Sequence, residues 1–219
     1  MTGTTTTLDQ HPAGPIPAAA PDDPTLYGAL DTADPDLELA VAEQLEMRFL
    51  TALIWAPTEL ATKVVTALIG STTTRDNPDP TTTTVIPTTA HLLYQPTTQG
   101  LFAAVVDLLD EAVPLSPELI YARLASRGRV GEHTRNALLT VISPPGSTTL
   151  PGSPELPHLA AALIDTWYRR GYRALTRRMA QIAETAHIDE LAGHHTTLTD
   201  HQHRAEARRL TIRDNLARL

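Results

Sequence analysis

The chain contains no cysteine. Disulfides, thiolate nucleophiles and cysteine zinc sites are therefore excluded, and a reducing compartment fits the composition. Aromatic residues are scarce: two Phe, two Trp and five Tyr make up 4% of 219 residues. The 42% hydrophobic content rests instead on Leu, Ala, Val and Ile. That mixture suits packed helices better than a sheet sandwich. No run of about 18 apolar residues occurs, so no segment reads as a membrane span. The N-terminus, MTGTTTTLDQHPAGPIPAAAPDDP, has no basic stretch followed by an apolar core and does not read as a signal peptide. A cytoplasmic location is expected.

Catalytic signatures are missing as well. No G-x-x-x-x-G-K-[ST], G-x-S-x-G, H-E-x-x-H or G-x-G-x-x-G occurs. A phosphate loop, a nucleophile elbow, a zincin helix and a dinucleotide turn all lack their residues. No convergent acid, base and nucleophile set is visible. The expectation is a protein that is not an enzyme and needs no cofactor.

What is present is a series of helical patterns. Residues 1–36, rich in Thr, Pro, Ala and Asp, read as a disordered tail. DLELAVAEQLEMRFLTALIW, from Asp36 to Trp55, is the first helix, with Asp36 as its cap and Pro57 beyond its end. Thr58 is expected to cap a second helix that stops at Gly70. Residues 71–87 carry Thr, Pro, Asp and Asn without an apolar period and read as an inserted loop. Leu101, Phe102, Val105, Leu108, Leu109 and Ala112 then line one helical face. Ser116-Pro117-Glu118 starts the next helix, because a hydroxyl cap precedes proline at the first helical position, and Gly128 stops it. A fifth helix covers 132–142, and a second loop covers 143–154.

The sixth helix, about 155–186, is the longest. Leu159, Leu163, Trp167, Tyr168, Tyr172, Leu175, Met179, Ile182 and Ala186 form one apolar stripe. Gly193 to Thr197 reads as a break, followed by a last helix from Thr199 to about Arg218, with Ala205, Ile212, Leu216 and Leu219 on its apolar side. The expected fold is all-α: a small orthogonal helical globule over 37–154, then a long antiparallel hairpin over 155–219. The last helix is too poor in apolar residues to cover the stripe. Trp167, Tyr168, Tyr172, Leu175, Met179 and Ile182 are therefore expected to form an interface with a second copy, as a dimer or a larger ring.

Two clusters invite chemistry. His187, His194, His195, His201 and His203 lie close in sequence, but no acid or cysteine completes a tetrahedral set, so they read as solvated. Arg169, Arg173 and Arg177 are spaced to share one face of the long helix. They read as a contact for phosphates or an acidic partner, or else as a solvated face balanced by Asp165, Glu184, Asp189 and Glu190. From Asp165 to Leu219 there are 10 Lys and Arg against 7 Asp and Glu, leaving 7 against 18 in the remainder of a chain of net charge −8. Such a weakly basic segment fits nucleic acid, an acidic partner or self-pairing, and does not by itself indicate DNA binding.

Four segments in order resemble the N-terminal domain of the bacterial replicative helicase, the DnaB-type hexameric helicase. They are EQLEMRFLTALIWAP (43–57), LLYQPTTQGLF (92–102), VVDLLDEAVPLSPELIYARLASRGRV (105–130) and LIDTWYRRGYRALTRRMAQIAETA (163–186). The resemblance covers about residues 37 to 219. Leu93 replaces the family's usual Phe, Thr98 stands where His is common, the 71–87 loop is longer, and the last helix is unusually rich in His. The family continues into a linker helix and an ATPase motor, whereas this chain ends at Leu219, so on this reading it does not unwind DNA alone. The resemblance implies a collar role: hairpins pair into dimers, dimers assemble into a ring, and the domain contacts primase, helicase or helicase loader. The rival expectation is a helical nucleic-acid-binding regulator that uses the Arg stripe.

Overall fold

The computed structural model describes residues 35–71, 89, 91–143 and 153–219, with side chains from Leu39 onward. The chain is all-α. Among the described residues it forms seven helices and one 3-10 turn, without a strand. These are α1 (Pro35–Trp55), α2 (Thr58–Ile69), α3 (Pro96–Asp110), α4 (Pro117–Ser126), α5 (Glu132–Ile142), α6 (Glu155–Thr185), the turn Ile188–Glu190, and α7 (Leu191–Leu216). The tail expected over 1–36 and the loops expected over 71–87 and 143–154 fall almost wholly outside the described residues.

The core gathers the apolar faces of α1, α2, α3 and the first half of α6. Phe49 and Phe102, the chain's two phenylalanines, are both fully buried with ring centroids 5.9 Å apart. Leu50, Leu53, Leu68, Leu101 and Leu156 belong to the same buried cluster. Leu93 is buried in the same core. Leu39–Leu219 forms one compact unit, so the globule and the hairpin share a single body.

Helix ends follow local chemistry where the signal is a cap. The Ser116 side chain accepts from the Leu119 N–H at 3.3 Å, with Pro117 in the first turn of α4. Gly128 adopts φ 64° after α4, and the Arg129 N–H returns to the Leu124 carbonyl at 3.0 Å. The end of α3 has the same geometry with a different residue. Ala112 lies outside the helix at φ 55°, and the Val113 N–H returns to the Leu108 carbonyl at 2.8 Å. Ala112 thus leaves the apolar face that the spacing assigned to it, because the chain reverses there. Left-handed backbone costs a β-carbon about 1 kcal/mol. Gly128→Ala should therefore destabilise the fold by about 1 kcal/mol, and Ala112→Gly should stabilise it by up to about 1 kcal/mol. Urea midpoints of the two variants should move in opposite directions.

Three other boundaries differ from expectation. α1 begins at Pro35, which puts Asp36 inside the first turn instead of at the cap. Thr58 is the first residue of α2, not its cap, because the Ala61 N–H already bonds the Pro57 carbonyl at 3.0 Å. The break expected at 193–197 is helical: α7 starts at Leu191, and the chain turns earlier, over Ala186 to Glu190. Thr196 and Thr197 donate to the carbonyls of Ala192 and Gly193 at 3.0 and 2.9 Å, so their hydroxyls are satisfied within the helix.

The hairpin as candidate functional site

α6 and α7 run antiparallel. Near the globule their register is fixed by polar pairs. Asp165 accepts from Arg209 at 2.8 Å and from Arg213 at 3.0 Å. Arg209 also donates to both oxygens of Glu206, at 3.1 and 2.7 Å, and its guanidinium lies 5.0 Å over the Tyr168 ring. Gln202 bonds the Tyr168 hydroxyl. Asp165 is thus engaged by α7 and does not balance the Arg stripe of its own helix. Burial and the adjacent Glu206 carboxylate push the Tyr168 phenol above its ordinary range. Arg209, and then Tyr168, hold Glu206 below the ordinary carboxylate range.

A carboxylate held low in the folded state stabilises the fold above its unfolded pKa, and that contribution is lost as pH falls through the folded value. Melting temperature should therefore drop as pH falls below about 4.3. Glu206→Gln should flatten that drop while costing no more than about 1 kcal/mol at neutral pH, since the pair is partly solvated. Circular dichroism melts of both proteins across the acid range check this.

The apolar stripe of α6 changes partner along its length. Leu156, Ala160, Leu163 and Ile164 are buried in the globule, and Trp167 packs against the core's edge. Farther out, Leu175, Met179, Ile182 and Ala186 are only half-buried, and Tyr172 is 52% exposed. On α7, Ala205, Ile212 and Leu216 are buried, while Leu219 is exposed. Between Ile164 and Ala205 no side chain is buried. Two helices without a third layer cannot enclose their shared seam, so its outer half keeps a wet edge. Of the six residues expected at an interface, Trp167 and Tyr168 are engaged within the subunit. Tyr172, Leu175, Met179 and Ile182 lie on the outer half.

The arginine stripe is solvent-facing. Arg169, Arg173 and Arg177 are all exposed, and helical spacing turns them away from the Tyr168, Leu175 and Met179 side of α6. The five hairpin histidines are exposed too, with His187 Nδ1 3.2 Å from Asp189. Among the described residues, no group of three or more His, Asp or Glu is placed to hold a metal ion. No described helix is long and apolar enough to cross a membrane.

A residue outside the expected set organises the base of the hairpin. Arg170 donates from Nη2 to the carbonyls of His91 and Leu92 at 2.9 and 2.8 Å. Its Nη1 lies 3.8 Å from Glu46, and its guanidinium sits 5.6 Å over the Tyr94 ring. Glu46 is 1% exposed and accepts from the Tyr94 N–H, from the Gln95 N–H at 3.3 Å and from Thr98 Oγ1 at 2.6 Å. This carboxylate therefore ties down, from another helix, the segment that leads into α3, beside a helix N-terminus whose dipole favours negative charge. Burial pulls the Arg170 guanidinium below its usual range, opposed by Glu46 and then Tyr94. The legible signal was an acid on the apolar face of α1: Glu46 lies three and four residues before Phe49 and Leu50.

Comparison with protein-family models, curated proteins and solved structures finds no match to this chain.

Proposed function

We propose that this chain is a non-catalytic module for self-association and protein contact, with the outer hairpin as its pairing element. One observation carries the proposal: between Ile164 and Ala205 no side chain is buried, although the seam there holds Tyr172, Leu175, Met179 and Ile182. Apolar surface of this kind is stabilised by a second layer, and the simplest source is the same seam on another copy. The cysteine-free chain offers a direct test. Tyr172→Cys should be captured as a covalent dimer by a short bis-maleimide, whereas Thr62→Cys, exposed on α2, should not. Equal capture of the two would contradict pairing through the hairpin.

Within that class we place the protein in DNA replication in the cytoplasm, acting like the collar of the replicative helicase. The four resembling segments, together with an all-α globule followed by a hairpin, support this reading. Purified primase, helicase and helicase loader from the same source should include a binder. Failure of all three would remove the replication role and leave self-association standing.

The exposure of Arg169, Arg173 and Arg177 on one helix face favours a second reading, contact with nucleic acid or an acidic partner. Affinity for an oligonucleotide should then fall steeply with salt and weaken on Arg173→Ala with Arg177→Ala. Salt-independent or undetectable binding would remove it.

A further inference from the structure

The arginines of α7 divide into two sets. Arg209 and Arg213 pair with Asp165, and Arg209 also pairs with Glu206. Arg204 and Arg208 make no ion pair with any described residue. Arg204 Nε donates to the Asp200 carbonyl at 3.1 Å, and Arg208 Nε is buried without an acceptor. Helical spacing puts His201, Arg204, Arg208, Thr211 and Asn215 on one face, and no Asp or Glu interrupts it. That face turns away from Gln202 and Arg209, which meet α6. α2 also packs against α7, but its one acid, Glu59, is taken by Lys63 at 2.6 Å. The neighbouring helices therefore leave no carboxylate for this face.

Arg208 is the informative member. It is half-buried, and burial pulls its guanidinium below the usual range with no carboxylate opposing the shift. Arg170, half-buried as well, has Glu46 in that role. A cation stripped of part of its water is stabilised when an anion reaches it. Part of Arg208 stays exposed, so an anion has access from solvent. The exposed Arg204 stands one turn away, about 6 Å along the axis. Two carboxylates at i and i+4 of a helix have the same separation. A phosphate backbone, with one charge per about 1.7 Å of duplex, is repelled by a chain of net charge −8, whereas a short acidic segment brings only the charges this face receives. We propose that this face of α7 is a docking site for an acidic helical segment of a partner protein, with Arg208 as its anchor and Arg204 as the second contact. The site is separate from the pairing seam, whose Tyr172, Leu175, Met179 and Ile182 lie on α6, and from the Arg169, Arg173 and Arg177 face.

Fluorescence anisotropy at low salt tests this with three labelled probes: an alanine-rich helical peptide with Glu at every fourth position, its Gln counterpart, and a single-stranded oligonucleotide of equal charge. The Glu peptide should bind the full chain, more tightly than the oligonucleotide, and the Gln peptide should not bind. Arg208→Gln should weaken the Glu peptide at least about fivefold, and the more exposed Arg204→Gln about twofold. Arg169→Gln with Arg177→Gln, on the back of α6, should leave it unchanged. Absent binding, an Arg208→Gln affinity equal to the parent's, or an equal loss in the α6 variant would overturn the proposal. Tighter binding of the oligonucleotide would overturn it in favour of nucleic acid, and an Arg208→Gln chain that loses self-association would assign the face to a second copy instead. Arg208→Met keeps most of the apolar stem and removes the charge, so its melting temperature should equal or exceed the parent's. A clearly lower melting temperature would show that the fold itself uses the guanidinium, and would also overturn the proposal.

Discussion

Tyr172→Asp should split the assembly into folded monomers. In the single subunit the Tyr172 side chain is 52% exposed, so a carboxylate there meets water and the hairpin keeps its structure. Against a second copy the same carboxylate would be desolvated without a partner. Burying an unpaired charge is costly enough that a loss of about 3 kcal/mol, roughly a hundredfold in the dissociation constant, is a lower bound. Leu175→Asp should dissociate the assembly as well, with a second effect. Leu175 is half-buried within its own subunit, so that variant should also lower the melting temperature. Size-exclusion chromatography with light scattering separates the two effects when paired with thermal melts. A Tyr172→Asp protein that elutes with the parent mass would place the pairing surface elsewhere.

Glu46→Ala should have the largest effect on folding. The substitution deprives the Tyr94 and Gln95 N–H groups and the Thr98 hydroxyl of their acceptor, and leaves Arg170 facing an apolar void. Removing one member of a buried ion pair typically costs about 3–5 kcal/mol. Small domains are stable by only about 5–15 kcal/mol, so the variant should be partly unfolded at physiological temperature. Glu46→Gln retains an oxygen acceptor at the start of α3 and loses only the charge, so a cost of about 1–2 kcal/mol is expected. Urea unfolding of the two variants tests whether the carboxylate acts mainly through its hydrogen bonds or its charge. A Glu46→Ala protein as stable as the parent would show that neither matters.

The parts of the fold legible in the sequence are those whose causes are local. Ser116, Pro117 and Gly128 mark the two ends of α4, because hydroxyl capping, a fixed φ and a left-handed turn each act within a few residues. The stripe of α6 was visible because helical spacing repeats over its length. Legibility failed where a distant partner decides. The 193–197 stretch carries glycine and threonines that favour a loop in isolation, yet it is helical, lying between the half-buried Leu191 and Leu198 in a helix that pairs with α6 over most of its length. Ala112 matched the apolar period of α3, and only the reversal after Asp110 shows that the period ends first.

The candidate site divides the same way. Exposure of the Arg169, Arg173 and Arg177 face follows from spacing alone. The Glu46, Thr98 and Arg170 cluster joins three segments far apart in sequence; spacing sets Arg170 seven residues after the buried Leu163, on the inner face of α6, but names no partner for it. The Asp165, Glu206 and Arg209 pairing likewise depends on hairpin register, which no single helix encodes.

Sedimentation equilibrium of the unaltered chain, from about 1 to 100 µM, tests self-association through the outer hairpin most directly, since an assembly must respond to concentration. Pairing predicts a mass at least twice the subunit's 23.7 kDa at the upper end, falling toward it on dilution. A mass of one subunit at every concentration would contradict it.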